Sequence, residues 1–192
     1  MTGRYIILTK HAGSHTPRYQ VTRPPNAAFL YGACHPPVVS EPEDRGRLVR
    51  IADYQFGPDA GEALFAGELR IERSKSGRPR QVHAPAGRLV SLGGDGRFTL
   101  GLAGGRRVLS ALPAPAGRVV VGDESEPFVR EGKNVFAKFV AAAGPEIRPG
   151  DEVPVVHEDG ELLAVGRAEL SAGAMDEFET GMAVKVREGC ED

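Results

Sequence analysis

Strand-like runs of apolar and polar positions dominate this chain after Glu68, and helical spacing shows first in one earlier stretch. Leu48, Ile51, Ala52, Phe56, Ala63 and Leu64 recur at mostly helical intervals broken at Gly57-Pro58. The spacing predicts two short helices or one broken helix. Five strand-like runs follow: ELRIERS from Glu68, RQVHA from Arg80, RLVSL from Arg88, RFTLGL from Arg97 and RRVLSAL from Arg106. Lys75-Ser76-Gly77, Pro85-Ala86-Gly87, Gly93-Gly94-Asp95-Gly96 and Gly104-Gly105 separate them. Such turn-forming residues predict tight hairpins, hence a helix packed on an antiparallel meander.

Pro113 to Gly117, PAPAG, marks a boundary. Beyond it the pattern predicts a strand at Arg118–Gly122 and a short helix at Glu124–Glu131. Strands at Val135–Ala142, Glu152–His157 and Leu162–Leu170, a helix at Ala174–Glu179 and a last strand at Met182–Arg187 complete the region. Gly132, Gly160 and Gly181 punctuate these elements, and Asp159-Gly160 is a hairpin signal. So many short, mostly antiparallel strands predict a small barrel with two helical caps. Its expected core is Val119, Val121, Phe128, Val135, Phe139, Val153, Val155, Leu163, Val165, Val184 and Val186.

Before residue 48 the chain is dense in proline, as in HTPRYQVTRPPNAAF and CHPPVVSEPEDRG. Proline removes a backbone donor and restricts its predecessor, so long helices are not expected there. Short extended pieces are expected at Tyr5–Thr9, Tyr19–Thr22 and Ala28–Gly32. The expected fold class is α+β, mainly β, in three parts. Residues 1–47 form an irregular segment packing on the middle domain, residues 48–113 an α+β domain with a meander, and residues 117–189 a small pseudo-barrel with two short helices.

Composition narrows the function classes. The chain has 192 residues, 24 Lys and Arg against 26 Asp and Glu, and a net charge of −2. That balance excludes a polycation coating nucleic acid, but not a local basic patch. No apolar run approaches the ~18 residues of a membrane span. Tyr5 to Leu8 is too short for a secretory core, so a cytoplasmic location is expected. Cys34 and Cys190 are too few for a disulfide framework, and Cys190 is expected on a mobile tail.

Candidate chemistry is sparse. His11 and His15 have helical metal-ligand spacing, but Gly13, Ser14 and Thr16-Pro17 oppose a helix and no third ligand is near. Cys34-His35 lacks an orienting acid. GGDGRF lacks the Lys-Ser/Thr of a phosphate-binding loop and reads as a hairpin. Cations concentrate instead in REGKNVFAKFV, Arg130 to Val140, and in RIERSKSGRPR, which holds Arg70, Arg73, Lys75, Arg78 and Arg80. Acidic stretches at Glu41–Asp44, Asp123–Glu126 and Asp176–Glu179 offset them.

The third region, in VVVGDESEPFVREGKNVFAKFV, IRPGDEVPVVHEDGELLAVGRAELS and GMAVKVREG, resembles a PUA domain, the RNA-binding module named for pseudouridine synthases and archaeosine transglycosylases. IADYQFGPDAGEALF, IERSKSGRPRQV and GDGRFTL resemble the segment before the PUA domain in archaeal tRNA-guanine transglycosylases and the related archaeosine synthases. The resemblance implies contact with the acceptor stem and 3′ end of tRNA through Arg130, Gly132, Lys133, Asn134, Phe136, Lys138, Arg167 and Arg187. Backbone N–H groups beside Gly132 and the Lys133 and Lys138 side chains would meet phosphate, and Asn134 a sugar or base edge. Phe136 either stacks on a base or fills the core. Arg70, Arg73, Lys75, Arg78 and Arg80 either extend that RNA surface or solvate a hairpin tip.

The family's catalytic half is a (β/α)8 barrel with catalytic aspartates and a zinc held by three cysteines and a histidine. This sequence shows neither CxC nor CxxC, nor the Pro-Cys…Lys-Pro-Tyr signature of the synthases. No catalytic residue, metal, cofactor, membrane or DNA partner is expected. The expected function is non-catalytic binding of tRNA at its acceptor arm, as the tRNA-binding subunit of a split archaeosine transglycosylase working with a separate catalytic chain. An alternative is a PUA adaptor for structured RNA in ribosome assembly, translation or another RNA-modifying complex. A third is a small enzyme using the first 47 residues.

Overall fold

The computed structural model describes residues 42–191, with side chains from residue 44. The extended pieces expected before residue 34, the His11 and His15 pair, and Cys34-His35 lie outside the described residues. Helix α1 (Pro42–Phe56) starts earlier than the apolar spacing indicated, because a proline in the first turn sacrifices no helical hydrogen bond. It stops at Gly57, whose φ of 116° turns the chain into α2 (Ala60–Leu64). Gly61 lets α2 lie directly on α1, since any Cβ there would strike the Val49 carbonyl. The Asp53 carboxylate accepts the Gly61 N–H at 2.8 Å and fixes the crossing.

Strands β1 (Arg70–Arg73), β2 (Pro79–Ala84), β3 (Gly87–Leu92) and β4 (Phe98–Leu100) form the antiparallel meander the alternation predicted, in the order β1-β2-β3-β4. Its inward residues Ile71, Val82, Leu89, Val90, Phe98 and Leu100 pack against Leu48, Ala52 and Leu64 of the helices and Phe65 just past α2. The Phe65 and Phe98 rings meet edge to face, with centroids 5.7 Å apart.

The run from Arg106 departs from expectation. Leu102–Ala111 is helix α3, not a strand, and Gly104-Gly105 lies inside it rather than in a hairpin turn. A side chain at Gly104 would collide with the Leu89 carbonyl, and a Cβ at Gly105 would lie 2.7 Å from Val165 Cγ1. The two glycines serve close approach: α3 is clamped between β3 and the second sheet. Helix propensity alone opposes this pair, and the packing outweighs it.

The second sheet has six strands in the order β6-β10-β9-β8-β5-β7. They are β5 (Val119–Val121), β6 (Val135–Phe136), β7 (Val140–Ala143), β8 (Glu152–His157), β9 (Leu162–Ala168) and β10 (Met182–Gly189). All neighbours are antiparallel except β5 and β8, which run parallel. Helices α4 (Glu126–Arg130) and α5 (Ala172–Glu177) accompany them. The single strand expected at Val135–Ala142 is broken by a 3-10 turn at Ala137–Phe139. Before the turn the chain pairs with β10, and after it with β5. This switch of partners draws the sheet toward closure.

Val119, Val121, Val129, Val135, Val153, Val155, Leu163, Val184 and Met175 form the barrel core. Phe128 does not join it. The ring is 58% exposed on the outer side of α4, and Val129 takes the inward position. Val156, Leu162 and Val165 face the other way and complete the first core. The two sheets thus share a wall. Arg118, 8% exposed, donates from Nη2 to the Leu112 and Leu109 carbonyls at the C-terminus of α3, at 2.6 and 3.3 Å. Cys190 is not on a loose tail: its N–H donates to the Leu163 carbonyl at 2.8 Å and its side chain packs on the first core. Among the described residues no helix is long and apolar enough to cross a membrane.

Candidate nucleic-acid interface

Helix α4 ends on Gly132, with φ 83°. The Gly132 N–H donates to the Val129 carbonyl and the Lys133 N–H to the Phe128 carbonyl, each at 2.9 Å. This double closure is the glycine-dependent helix stop of the Schellman type. Both N–H groups expected to face phosphate are engaged within the cap. Gly132 therefore sets the direction of the chain, and the turn presents side chains outward.

Those side chains differ in their freedom. The Arg130 guanidinium lies between Glu126, at 2.9 Å, and Glu161, at 2.6 Å. Its hydrogen bonds to Glu161 and then Glu126 raise its pKa further above the ordinary arginine value. Asn134 Oδ1 accepts the Val186 N–H at 3.0 Å and so extends the pairing of β6 with β10. Lys133 and Lys138 are exposed and make no ion pair among the described residues, although Lys138 Nζ lies 4.5 Å over the Phe139 ring. Phe136, 47% exposed, lies outside the core and presents its ring to solvent.

A concentration of cations lies on the outer side of β9 and β10. Lys185 stands directly opposite Arg167 in the ladder, and Arg187 follows at the register shift between Val186 and Glu188. The three line a shallow cavity of about 230 Å³. Arg167 is turned by Glu169, which accepts from both Nε and Nη2, at 2.9 and 2.7 Å. Arg187 is held by Glu152 through paired contacts of 2.6 and 2.8 Å, a link that raises its pKa. Lys185 makes no ion pair among the described residues. The sequence reading missed it, although its alternation with Arg187 in AVKVREG placed both on one face.

The second basic cluster divides. Arg70 pairs with Glu72 at 3.1 Å, and Arg73 pairs with Asp44 and donates to the Gly77 carbonyl. Lys75 is exposed at the turn. Arg78 and Arg80 turn instead to a separate cavity that Arg47 of α1 also lines.

Asp123, Glu126 and His157 place one potential metal-ligand atom each within 4.8 Å of one another. Their present partners are protein groups. His157 Nε2 meets Asp123 Oδ1 at 2.8 Å, His157 Nδ1 lies 3.2 Å from Asp159 Oδ1, and Glu126 is engaged by Arg130. The Asp123 hydrogen bond, then Asp159, raises the His157 pKa above its ordinary value. The arrangement is a charge network tying α4 to the β8–β9 hairpin.

Comparison with known proteins places this geometry. Residues 46–115 match the patch-forming domain C2 of tRNA-guanine transglycosylase, and residues 117–190 match the PUA domain. The chain is similar to tRNA-guanine(15) transglycosylase of Pyrococcus furiosus, with 51% identity over 146 residues that cover 76% of this chain and 25% of that protein. The same-named protein of Thermococcus kodakarensis is 47% identical over 150 residues, covering 78% of this chain and 26% of that one. The chain therefore spans about a quarter of the length of the curated relatives it matches. Among solved structures, a hypothetical protein from Pyrococcus horikoshii OT3 superposes with a TM-score of 0.59 at 21% identity, covering 80% of this chain and 94% of that one. A conserved PUA-domain protein from Thermoplasma acidophilum gives 0.54 at 21% identity, covering 80% and 93%. The fold is thus α+β, mainly strand, with a nearly closed barrel. This chain is a PUA-domain protein whose C2-PUA tandem resembles the C-terminal part of archaeal tRNA-guanine transglycosylases.

Proposed function

We propose that this chain binds tRNA, holding the acceptor arm on the outer face of β9 and β10 and on the adjoining turn after α4. The observation that carries the reading is Lys185 directly opposite Arg167, with Arg187 lining the same shallow cavity. Arg167 and Arg187 already have carboxylate partners in Glu169 and Glu152, whereas Lys185 has none among the described residues, so the lysine is the cation of this face left for an anion. A sugar-phosphate backbone supplies one. Lys133 and Lys138 continue the positive surface, Phe136 offers a ring for a terminal base, and Asn134 retains its amide N–H groups for a sugar or base edge. Arg130 and Gly132 act as positioning residues.

The tRNA-guanine(15) transglycosylase relatives support tRNA over other RNA as the ligand. In this reading the chain is non-catalytic and serves a separate transglycosylase chain that performs base exchange. The test is fluorescence anisotropy of a labelled tRNA transcript with purified protein across a salt series. Affinity should fall as salt rises, with a log-log slope of about −0.7 to −0.9 per phosphate contact. No binding at low salt overturns the reading. A guanine-exchange assay with this chain alone should be silent; turnover would refute the non-catalytic role.

A further inference from the structure

Arg47 from α1 and Arg78 and Arg80 from the β1–β2 hairpin line one cavity of about 440 Å³ on the far side of the first sheet's hairpins. That volume falls within the usual range for small-molecule sites. Arg78 and Arg80 have no carboxylate partner among the described residues, whereas the neighbouring Arg70 and Arg73 are both paired. The floor is apolar: Leu48 is buried, and Ile51 and Leu92 pack on the first core. Gly93, Gly94 and Gly96 leave backbone along the lining, which also includes Asp95. A side chain at Gly93 would strike the Asp95 carboxylate, which accepts the Arg97 N–H at 3.1 Å.

A rim of positive guanidinium groups over an apolar floor matches the two halves of a nucleotide. Phosphate is complementary to the fork of arginine N–H groups. An unstacked base is complementary to a flat apolar surface flanked by guanidinium planes. Simple solvation of a hairpin tip does not explain the apolar floor. We propose that this cavity is a nucleotide pocket, taking one unstacked nucleotide of the bound RNA with its phosphate on Arg78 and Arg80 and its base over Ile51 and Leu92. It rests on the RNA-binding reading and adds a second point of attachment, on the other domain.

The experiment measures tRNA anisotropy with the full chain and three variants, each checked for an unchanged melting transition. Arg78→Ala/Arg80→Ala should weaken binding about tenfold and flatten the salt slope by about one, for the single phosphate the two arginines share. Gly94→Leu fills the cavity without changing charge, at a position where nothing lies within 4 Å of an added Cβ. It should weaken binding with the slope unchanged. Lys185→Ala is the control on the other face. If it weakens binding while the arginine pair and Gly94→Leu do not, the pocket is overturned and the RNA reading stands. If the arginine pair matters and Gly94→Leu does not, only surface phosphate contact remains and the nucleotide pocket is again overturned. Wild-type protein that binds no tRNA overturns the RNA reading itself. A backbone NMR titration supplies an independent arm. Adenosine 5′-monophosphate should shift the Gly93, Gly94 and Gly96 amides more than inorganic phosphate does, and equal shifts would argue against a base site.

Discussion

Arg187 grips Glu152 through two hydrogen bonds, Nη1 to Oε2 at 2.6 Å and Nη2 to Oε1 at 2.8 Å. The same carboxylate accepts the Leu100 N–H at 3.2 Å, so one acid joins β10 and β8 to the last strand of the meander. Glu152 is 6% exposed in its side chain, whereas Arg187 is 38% exposed. The cation faces solvent and the anion is its anchor. Arg187→Ala should therefore destabilise the fold by roughly 2 kcal/mol, because it strands a buried carboxylate whose pair is only partly shielded from water. Urea denaturation measures it, and an unchanged midpoint would show that the pair is ornamental.

Lys185 offers the converse case. With no carboxylate held against it among the described residues, Lys185→Ala should leave the urea midpoint within about 0.5 kcal/mol of wild type. Its effect belongs to binding. The log-log salt slope for tRNA should fall by about one unit. A large stability loss without a change in slope would make Lys185 structural.

The glycines of α3 should separate by what lies above them. Gly104 abuts the Leu89 backbone and Gly105 the Val165 side chain. Backbone cannot yield without disturbing β3, whereas a valine can change rotamer. Gly104→Ala should cost about 3 kcal/mol and Gly105→Ala about 1 kcal/mol, against the small gain each offers in helix propensity. Equal thermal unfolding of the two variants would contradict the packing account.

His157 gives a dependence on pH. Its folded pKa is raised above the ordinary 6.5 by Asp123 first and Asp159 next. A raised histidine contributes stability that is fully present below the unfolded pKa and is lost as pH rises through the folded value. The stability difference between wild type and His157→Gln should be largest near pH 6 and shrink toward pH 8. Paired urea titrations at the two pH values measure it, and a gap that widens with pH would reverse the assignment.

Phe136 is exposed and Val135 beside it is buried. Phe136→Ala should barely move the melting temperature, yet weaken tRNA binding about tenfold, in keeping with ~1–3 kcal/mol per stacked base. Anisotropy and thermal unfolding of the one variant measure both.

The sequence by itself determined the meander, its three glycine-bearing turns and most strands of the barrel, because period-two alternation between turn residues is a local signal. It also placed Gly132 at a helix end and Arg187 on an outward position. Tertiary structure decided the rest. Gly104-Gly105 reads locally as a turn, and only the nearness of Leu89 and Val165 makes it a helix contact. Val135 to Ala142 reads as one strand, and only competition between β10 and β5 for pairing breaks it. Whether a cation is free for a ligand depends on acids far along the chain: Glu152 claims Arg187 from 35 positions away, while Lys185 lacks such a partner among the described residues. Local chemistry names which residues carry charge, but burial and long-range pairing decide which of those charges remain available.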